Sequence, residues 1–503
     1  MRQTMFLDLQ PGQLIEALDG RRWTPAQLWP EVARRVGALK RLGLQPGERV
    51  FLHFGNRLEF FAELLATWYC GACAIPLDAR LTAFEVGKLI DAAQPRFRIV
   101  DEQTPADVLM ASDGRDCLLT TEYAAGETDA GDGPPLARLD DPALMLFTSG
   151  STGEPKGVLH THRSLRARWI TLRQSLGLAA YTRSLCLLPT HFGHGLICNC
   201  LFPWLSGCDL YITPPFRPDI VMRLGSLLDE HEISFMSSVP AVWNLALKAS
   251  PPPKAGHLRR VHVGSAPLSA VAWQDIQQWC GTDEVFNAYG ITETGSWVAG
   301  TTGGPVVPED GLIGEPWGAV IRVLSARDTS RPLTPEMICA PGELGMIWLH
   351  TPALMQGYFQ RPDLTAAVVQ NGWFMTGDIG LLDDRGRLFI KGRERDEINK
   401  GGMKIYPADI DAVALAFAAV SDACCFGYPD EHYGENVALA VVLEDRSPET
   451  LAQLRQWVAE RIAEHRQPLR WYLLDEIPRT SRGKINRGQV MQACLKREPL
   501  QFS

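Results

Sequence analysis

Apolar and polar positions along the chain follow two alternating periods. Over residues 24–42 apolar side chains return every three to four positions and stop at Gly43, which predicts an amphipathic helix. Residues 49–54 then read as a strand, 59–70 as a helix and 74–77 as a strand, and a buried strand is expected at 143–147. The same rhythm fills residues 180–300, with strands at 185–188, 210–212 and 234–236 and helical stretches at 196–205 and 218–231. Strands alternating with helices predict an α/β fold with a mostly parallel sheet covered by helices. After Gly300 the apolar runs shorten and Gly and Pro punctuate them, as around residues 321–324 and 345–349, so a β-rich subdomain is expected there. The charged run at 391–397, after a strand at 388–390, marks a boundary: residues 1–394 are expected as a large domain and 395–503 as a small α+β domain with two or three helices and three strands.

Composition narrows the class. The chain has 503 residues, 46% hydrophobic and 21% charged, so it has core material for several domains and is neither disordered nor fibrous. A net charge of −9 argues against coating a nucleic acid and leaves a small ligand in a local groove as the expected partner. No apolar run reaches membrane-spanning length and the first residues lack a signal-peptide pattern, so a cytoplasmic protein without membrane attachment is expected. The twelve cysteines are scattered. Cys70 and Cys73 form a C-x-x-C inside an apolar stretch, and Cys198, Cys200, Cys424 and Cys425 lack a second ligand pair, so all read as packing residues and not as zinc or redox sites.

Candidate chemistry begins at Phe147-Thr148-Ser149-Gly150-Ser151-Thr152-Gly153-Glu154-Pro155-Lys156-Gly157, where three glycines, four hydroxyl residues and a lysine fall in eleven positions. Glycine lets backbone N–H groups approach an anion, hydroxyls add donors and the lysine adds a cation, so the segment reads as a phosphate cradle; a solvated Gly/Ser turn is the plain alternative. Walker A spacing fails, because Pro155 precedes the lysine and Gly157 follows it. Four further segments are unusual: Asn287-Ala288-Tyr289-Gly290-Ile291-Thr292-Glu293, the turn Gly372-Trp373-Phe374-Met375-Thr376-Gly377-Asp378, Gly392-Arg393 with the later Gly401-Gly402, and the basic loop from Pro478 to Arg487 around Lys484.

In this order, with the phosphate cradle, these segments resemble the adenylate-forming acyl-activating superfamily, of acyl-CoA synthetase type, over residues 25–490. The resemblance implies ATP-dependent activation of a carboxylic acid to acyl-AMP with pyrophosphate release, then transfer to a thiol, either coenzyme A or the phosphopantetheine of a carrier protein. It implies that Thr148, Ser149, Gly150, Thr152, Gly153 and Lys156 hold the β- and γ-phosphates, and that Gly264, Ser265 and Ala266 with Asn287, Ala288, Tyr289 and Gly290 surround the adenine. Thr292 is expected at the α-phosphate, Glu293 at magnesium, Asp378 and Arg393 at the ribose, and Lys484 between the substrate carboxylate and the α-phosphate. Arg395 matches the hinge about which the small domain moves, and this domain is expected to act as a mobile lid. A catalytically silent nucleotide-binding relative is the alternative from another class.

For the acid, the resemblance implies a pocket bounded by His191, Trp243, Gly264 and Gly290. His191 and His194 stand at i, i+3, yet no acidic or cysteine partner lies near them in sequence, so a wall is expected and not a metal pair. Residues 189–195 hold no aspartate for a substrate ammonium, and Leu245 stands where malonate-activating relatives carry arginine. Trp243, Phe192 and Trp297 then favour an uncharged apolar or aromatic acid.

Overall fold

The computed structural model describes residues 10–110, 117–125, 135–149, 155–215, 217–325, 337–393, 396, 398–400, 403–430, 434–462, 464–480 and 483–501. The helix Pro25–Arg41 starts after Thr24, whose backbone N–H donates to the Gln27 side chain at 2.9 Å, and it buries Leu28, Val32, Val36 and Leu39. Strands Arg49–His53, Cys73–Pro76, Phe97–Val100 and Cys117–Leu119 run parallel in a seven-stranded sheet. The strand Pro142–Ser149 joins beside Cys73–Pro76, followed by the antiparallel Pro155–Thr161 and, at the edge, Gly357–Tyr358.

A second sheet is parallel in its first half, where Leu14–Glu16, Asp209–Ile212, Arg183–Cys186, Phe235–Ser238, Arg260–Gly264 and Val285–Ile291 lie side by side. The β-rich region expected after Gly300 continues this sheet: the strand Ser296–Gly300 folds back on Val285–Ile291, and antiparallel strands extend through Leu312–Pro316, Leu388–Arg393, Trp373–Leu382, Gly345–His350 and Val320–Leu324. Lys391, Gly392 and Arg393 therefore finish a strand.

Two helical expectations are refined. The stretch at 196–205 opens as a π-helix, His194–Leu201, whose wider turns place Asn199 against the Leu185 carbonyl at 3.2 Å and let the Cys198 sulfur accept from the Trp297 N–H at 3.4 Å. The stretch at 218–231 splits into Pro218–Val221 and Leu224–Glu230, and Gly225 after the break abuts Pro251 so closely that a Cβ would lie 2.0 Å from its carbonyl oxygen. Cys70, Cys73, Cys198, Cys200, Cys424 and Cys425 are all buried, and desolvation pushes the Cys70 and Cys73 thiols up to about 11 and about 12.

The C-terminal part has its own apolar clusters, one including Ile398, Ile410, Val437, Leu439 and Trp471. Its sheet has five strands where the sequence suggested three: Met403–Ile405, Ile398–Lys400, Gly434–Leu443, Val420–Asp430 and Arg470–Leu473. The helices Pro407–Leu415, Pro448–Arg461 and Arg487–Cys494 cover it. Among the described residues no helix is long and apolar enough to cross a membrane.

Candidate active site

The segment read as a phosphate cradle is flanked by two paired antiparallel strands. Pro142–Ser149 carries the buried Ala143, Leu144, Met145 and Leu146 and pairs with Pro155–Thr161, Thr148 opposite Lys156. A strand, not a helix, carries Lys156, so the lysine cannot sit at a helix N-terminus as in a Walker loop, and the failed spacing has a structural cause. Gly150, Thr152 and Gly153 lie outside the described residues, as do the side chain of Ser149 and the hinge candidate Arg395. The Lys156 ammonium lies 5.7 Å from the centre of the Tyr358 ring.

The strand Val285–Ile291 leads into a short turn, Thr292–Thr294, and all three carbonyls of that turn are held from elsewhere. His160 Nε2 donates to Thr292 O at 2.8 Å, the Met355 N–H to Glu293 O at 2.7 Å, and Arg168 Nη2 to Thr294 O at 2.9 Å. Burial holds His160 neutral, its pKa lowered to about 4, so it has one ring N–H to give to Thr292. Arg168 is fully buried, also donates to Trp317 O at 2.8 Å, and is pulled down to about 10 by desolvation. With the backbone fixed, Thr292 and Glu293 remain half-buried, and the Tyr358 hydroxyl donates to Glu293 Oε1 at 2.8 Å. The preceding Gly290 is a close-approach residue: a Cβ there would lie 2.0 Å from Ser296 O.

The expected ribose pair is assembled by strand register. Asp378 and Arg393 face each other across Trp373–Leu382 and Leu388–Arg393, with Arg393 Nε 2.9 Å from Asp378 Oδ1. The Tyr289 hydroxyl donates to the other carboxylate oxygen at 2.5 Å. A carboxylate has about four acceptor positions, so two remain for vicinal hydroxyls. Asn287 is buried and donates to Leu312 O at 2.8 Å.

Beside the expected acid pocket, His194 is the more buried of the two histidines. It is buried, with Nδ1 2.9 Å from Ser265 Oγ and Nε2 2.6 Å from Ser237 Oγ, and it packs edge-on to Trp297. Ser265 has φ +68°, a left-handed conformation rare for a residue with a side chain, and the histidine contact braces it. A Cβ on Gly264 would lie 2.5 Å from Ala288 O and 3.5 Å from His194 Cε1. His191, preferred from sequence, lies 3.6 Å from Asp78 Oδ2. Trp243, expected at the pocket, is 1% exposed, donates to Ser238 Oγ at 2.7 Å and meets Trp279 edge-on, so it packs two helices together.

The basic loop is carried by the C-terminal domain, and Arg479 and Ile485 on its two sides form an antiparallel bridge. Lys484 O accepts from the Thr480 N–H at 2.7 Å, and two flanking arginines are tied to carboxylates, Arg479 to Asp422 and Arg487 to Asp411, each at 2.6 Å. A Cβ on Gly483 would lie 3.9 Å from Ala241, and Lys484 is near enough to His194 that its charge, after burial, helps hold that imidazole down at about 3. The catalytic candidate thus approaches His194 of the large domain. His160, Arg168 and Tyr358 escaped the sequence reading, which named His194 in the wall but preferred His191; the aromatic Gly357-Tyr358-Phe359 run was the one local signal for Tyr358.

The AMP-binding enzyme family model matches residues 10–359, and the model of the AMP-binding enzyme C-terminal domain matches 409–484. A 2-succinylbenzoate–CoA ligase of Geobacillus kaustophilus is 29% identical over 99% of this chain and 98% of its own. A long-chain-fatty-acid–CoA ligase of Mycobacterium tuberculosis is 30% identical over 96% of each chain. The structure of ATP-bound MatB from Rhodopseudomonas palustris superposes with a TM-score of 0.87 at 25% identity, over 98% of this chain and 99% of that one.

Proposed function

Since the chain belongs to the AMP-binding enzyme family and is an acid–thiol ligase of acyl-CoA synthetase type, we propose that it activates an uncharged apolar or aromatic carboxylic acid with ATP and passes the acyl group to coenzyme A. The observation that carries this reading is the approach of the Lys484 loop of one domain to His194 of the other, in which Glu293, Tyr289, Asp378 and Arg393 are also grouped.

In the first half-reaction a carboxylate oxygen attacks the α-phosphorus of ATP, the bond to the bridging oxygen of pyrophosphate breaks, and acyl-AMP forms. Asp378 accepts the ribose hydroxyls while Arg393 steadies its charge. Lys484 offsets repulsion between carboxylate and α-phosphate and the charge that grows on the latter, and Thr292 donates to an α-phosphate oxygen. Lys156 takes the departing pyrophosphate. A hard divalent ion suits the carboxylate and hydroxyl oxygens of Glu293 and Thr292, and bound magnesium would neutralise triphosphate charge. In the second half-reaction the thiol sulfur attacks the acyl carbonyl, AMP leaves with the bonding pair, and the thiol proton passes to solvent.

The separately packed clusters support a division at 394/395 with Arg395 as hinge, and the need for ATP and coenzyme A supports a cytoplasmic site of action. For the acid, Phe192 and Trp297 beside a neutral His194 favour an uncharged body, with the Ser237, His194 and Ser265 chain able to meet one polar substituent. Pyrophosphate release over aryl, fatty, dicarboxylic and amino acids, with and without coenzyme A, tests this; activity confined to dicarboxylic or amino acids would refute the acid class, and no release with any acid would refute the function.

A further inference from the structure

Tyr358 stands 65 positions from Glu293 in the chain, and the fold alone brings them together. Its two-residue strand pairs with Pro155–Thr161, Tyr358 opposite Val158, so it lies beside the arm of the hairpin that carries Lys156. Bonds on both sides fix it: Gln356 N–H to Leu159 O and Phe359 N–H to Gly157 O, both 2.8 Å, and the Tyr358 N–H to Thr365 Oγ1 at 2.9 Å. The hydroxyl then meets the Glu293 carboxylate at 2.8 Å while the ring lies 5.7 Å from the Lys156 ammonium. Two opposite charges assigned to the same triphosphate are thus each engaged by one tyrosine, and among the described residues no ion pair joins them directly.

We propose that Tyr358 is a positioning residue that fixes the orientation of the Glu293 carboxylate for the metal ion and keeps it from pairing with Lys156. This rests on the function proposed above. A carboxylate that binds a metal depends on outer hydrogen bonds for its orientation, and losing one typically costs 10- to 100-fold in affinity. The cation–π contact holds Lys156 without neutralising it, because the ring supplies no full negative charge.

Calorimetric titration of ATP with and without magnesium tests the proposal. Tyr358→Phe keeps the ring and removes the hydroxyl: the factor by which magnesium strengthens ATP binding is expected to fall about tenfold, with ATP affinity in the absence of metal unchanged. Tyr358→Leu removes the ring as well and is expected to weaken metal-free ATP binding about two- to fivefold. In a Glu293→Gln background, Tyr358→Phe is expected to add nothing, a result that general loss of structure would not give. A Phe variant with the wild-type magnesium gain, or one whose effect persists undiminished beside Glu293→Gln, would overturn the proposal while leaving the ligase function standing. A wild-type protein that makes acyl-AMP but gains no ATP affinity from magnesium would overturn the metal role of Glu293, and the proposal with it.

Discussion

The turn at residues 292–294 and the loop that carries Lys484 are both short, yet they are held in opposite ways. The carbonyls of the turn are taken by His160, the Met355 N–H and Arg168, all far from the turn in the chain, so the turn is fastened into the large domain. The lysine loop is fastened to its own domain, through Thr480, through Arg479 to Asp422 and through Arg487 to Asp411. It meets the other domain at Ala241 and near His194, with an exposed ion pair between Lys248 and Glu444 nearby. The groups proposed for the metal and α-phosphate therefore belong to the large domain, and the proposed catalytic lysine to a unit fastened within the other. Under the proposed function that difference serves two steps, with the lysine in place for adenylation and withdrawn when the thiol arrives.

The largest expected effect follows from removing the movable charge. Lys484→Ala should lower acyl-AMP formation about 100- to 1,000-fold, the usual worth of one group that stabilises transition-state charge, while thioester formation from supplied acyl-AMP stays within about twofold. Single-turnover assays of the two half-reactions distinguish these outcomes, and equal loss in both would deny the lysine its separate role.

On the frame side, Asp378→Asn should weaken ATP binding about tenfold, since it replaces a charge-assisted bond to the ribose with a neutral one and leaves Arg393 short of its counter-charge. Both half-reactions should suffer, because both carry AMP in the site. Loss confined to adenylation would refute the ribose assignment.

Acid should affect the frame before the lid. Burial lowers His53, His160 and His162 to about 4 and His194 to about 3, whereas an unfolded histidine titrates near 6.5. Between those values the unfolded chain binds more protons than the native one, so the stabilisation is complete above pH 6.5 and is lost as pH falls toward 4. Each group contributes on the order of 3 kcal/mol over that window. Hydrogen exchange at pH 7 and pH 4.5, corrected for intrinsic rates, should show protection lost first around residues 160 and 194, ahead of the strand Gly434–Leu443. A pH-independent pattern would mean that these imidazoles are not held neutral by burial.

What was legible in the sequence follows the same divide. Thr292, Glu293, Asp378, Arg393 and Lys484 lie in glycine-rich segments whose local composition is itself the signal, and the α/β rhythm before Gly300 is written in apolar periodicity. The groups that hold them left little trace. Arg168 sits in a helix that reads as polar, His160 in a strand after the cradle, and each meets its partner through sheet register across more than a hundred residues. The π-helix at His194–Leu201 could not be told from an α-helix, because the apolar content is the same in either. The same holds for Trp243: size marks a tryptophan as buried, but does not say which neighbours it meets, Trp279 among them.

The smallest effect bears on how the two regions meet. Lys248 and Glu444 lie 2.9 Å apart with about two thirds of each side chain exposed, at 62% and 66%. Such a pair contributes about 0.2–1 kcal/mol and is screened by salt. If it favours the docked position of the lysine loop, Lys248→Glu should slow adenylation two- to fivefold at low ionic strength and hardly at all at 0.5 M salt. The same change should leave thioester formation from acyl-AMP unaltered or slightly faster, because that step uses the other domain arrangement. Restoring the pair in reverse, Lys248→Glu with Glu444→Lys, should return adenylation to near the wild-type rate. A double variant no better than the single one would show that docking depends on the Gly483 and Ala241 contact and on Lys484 itself, and that the ion pair only accompanies it.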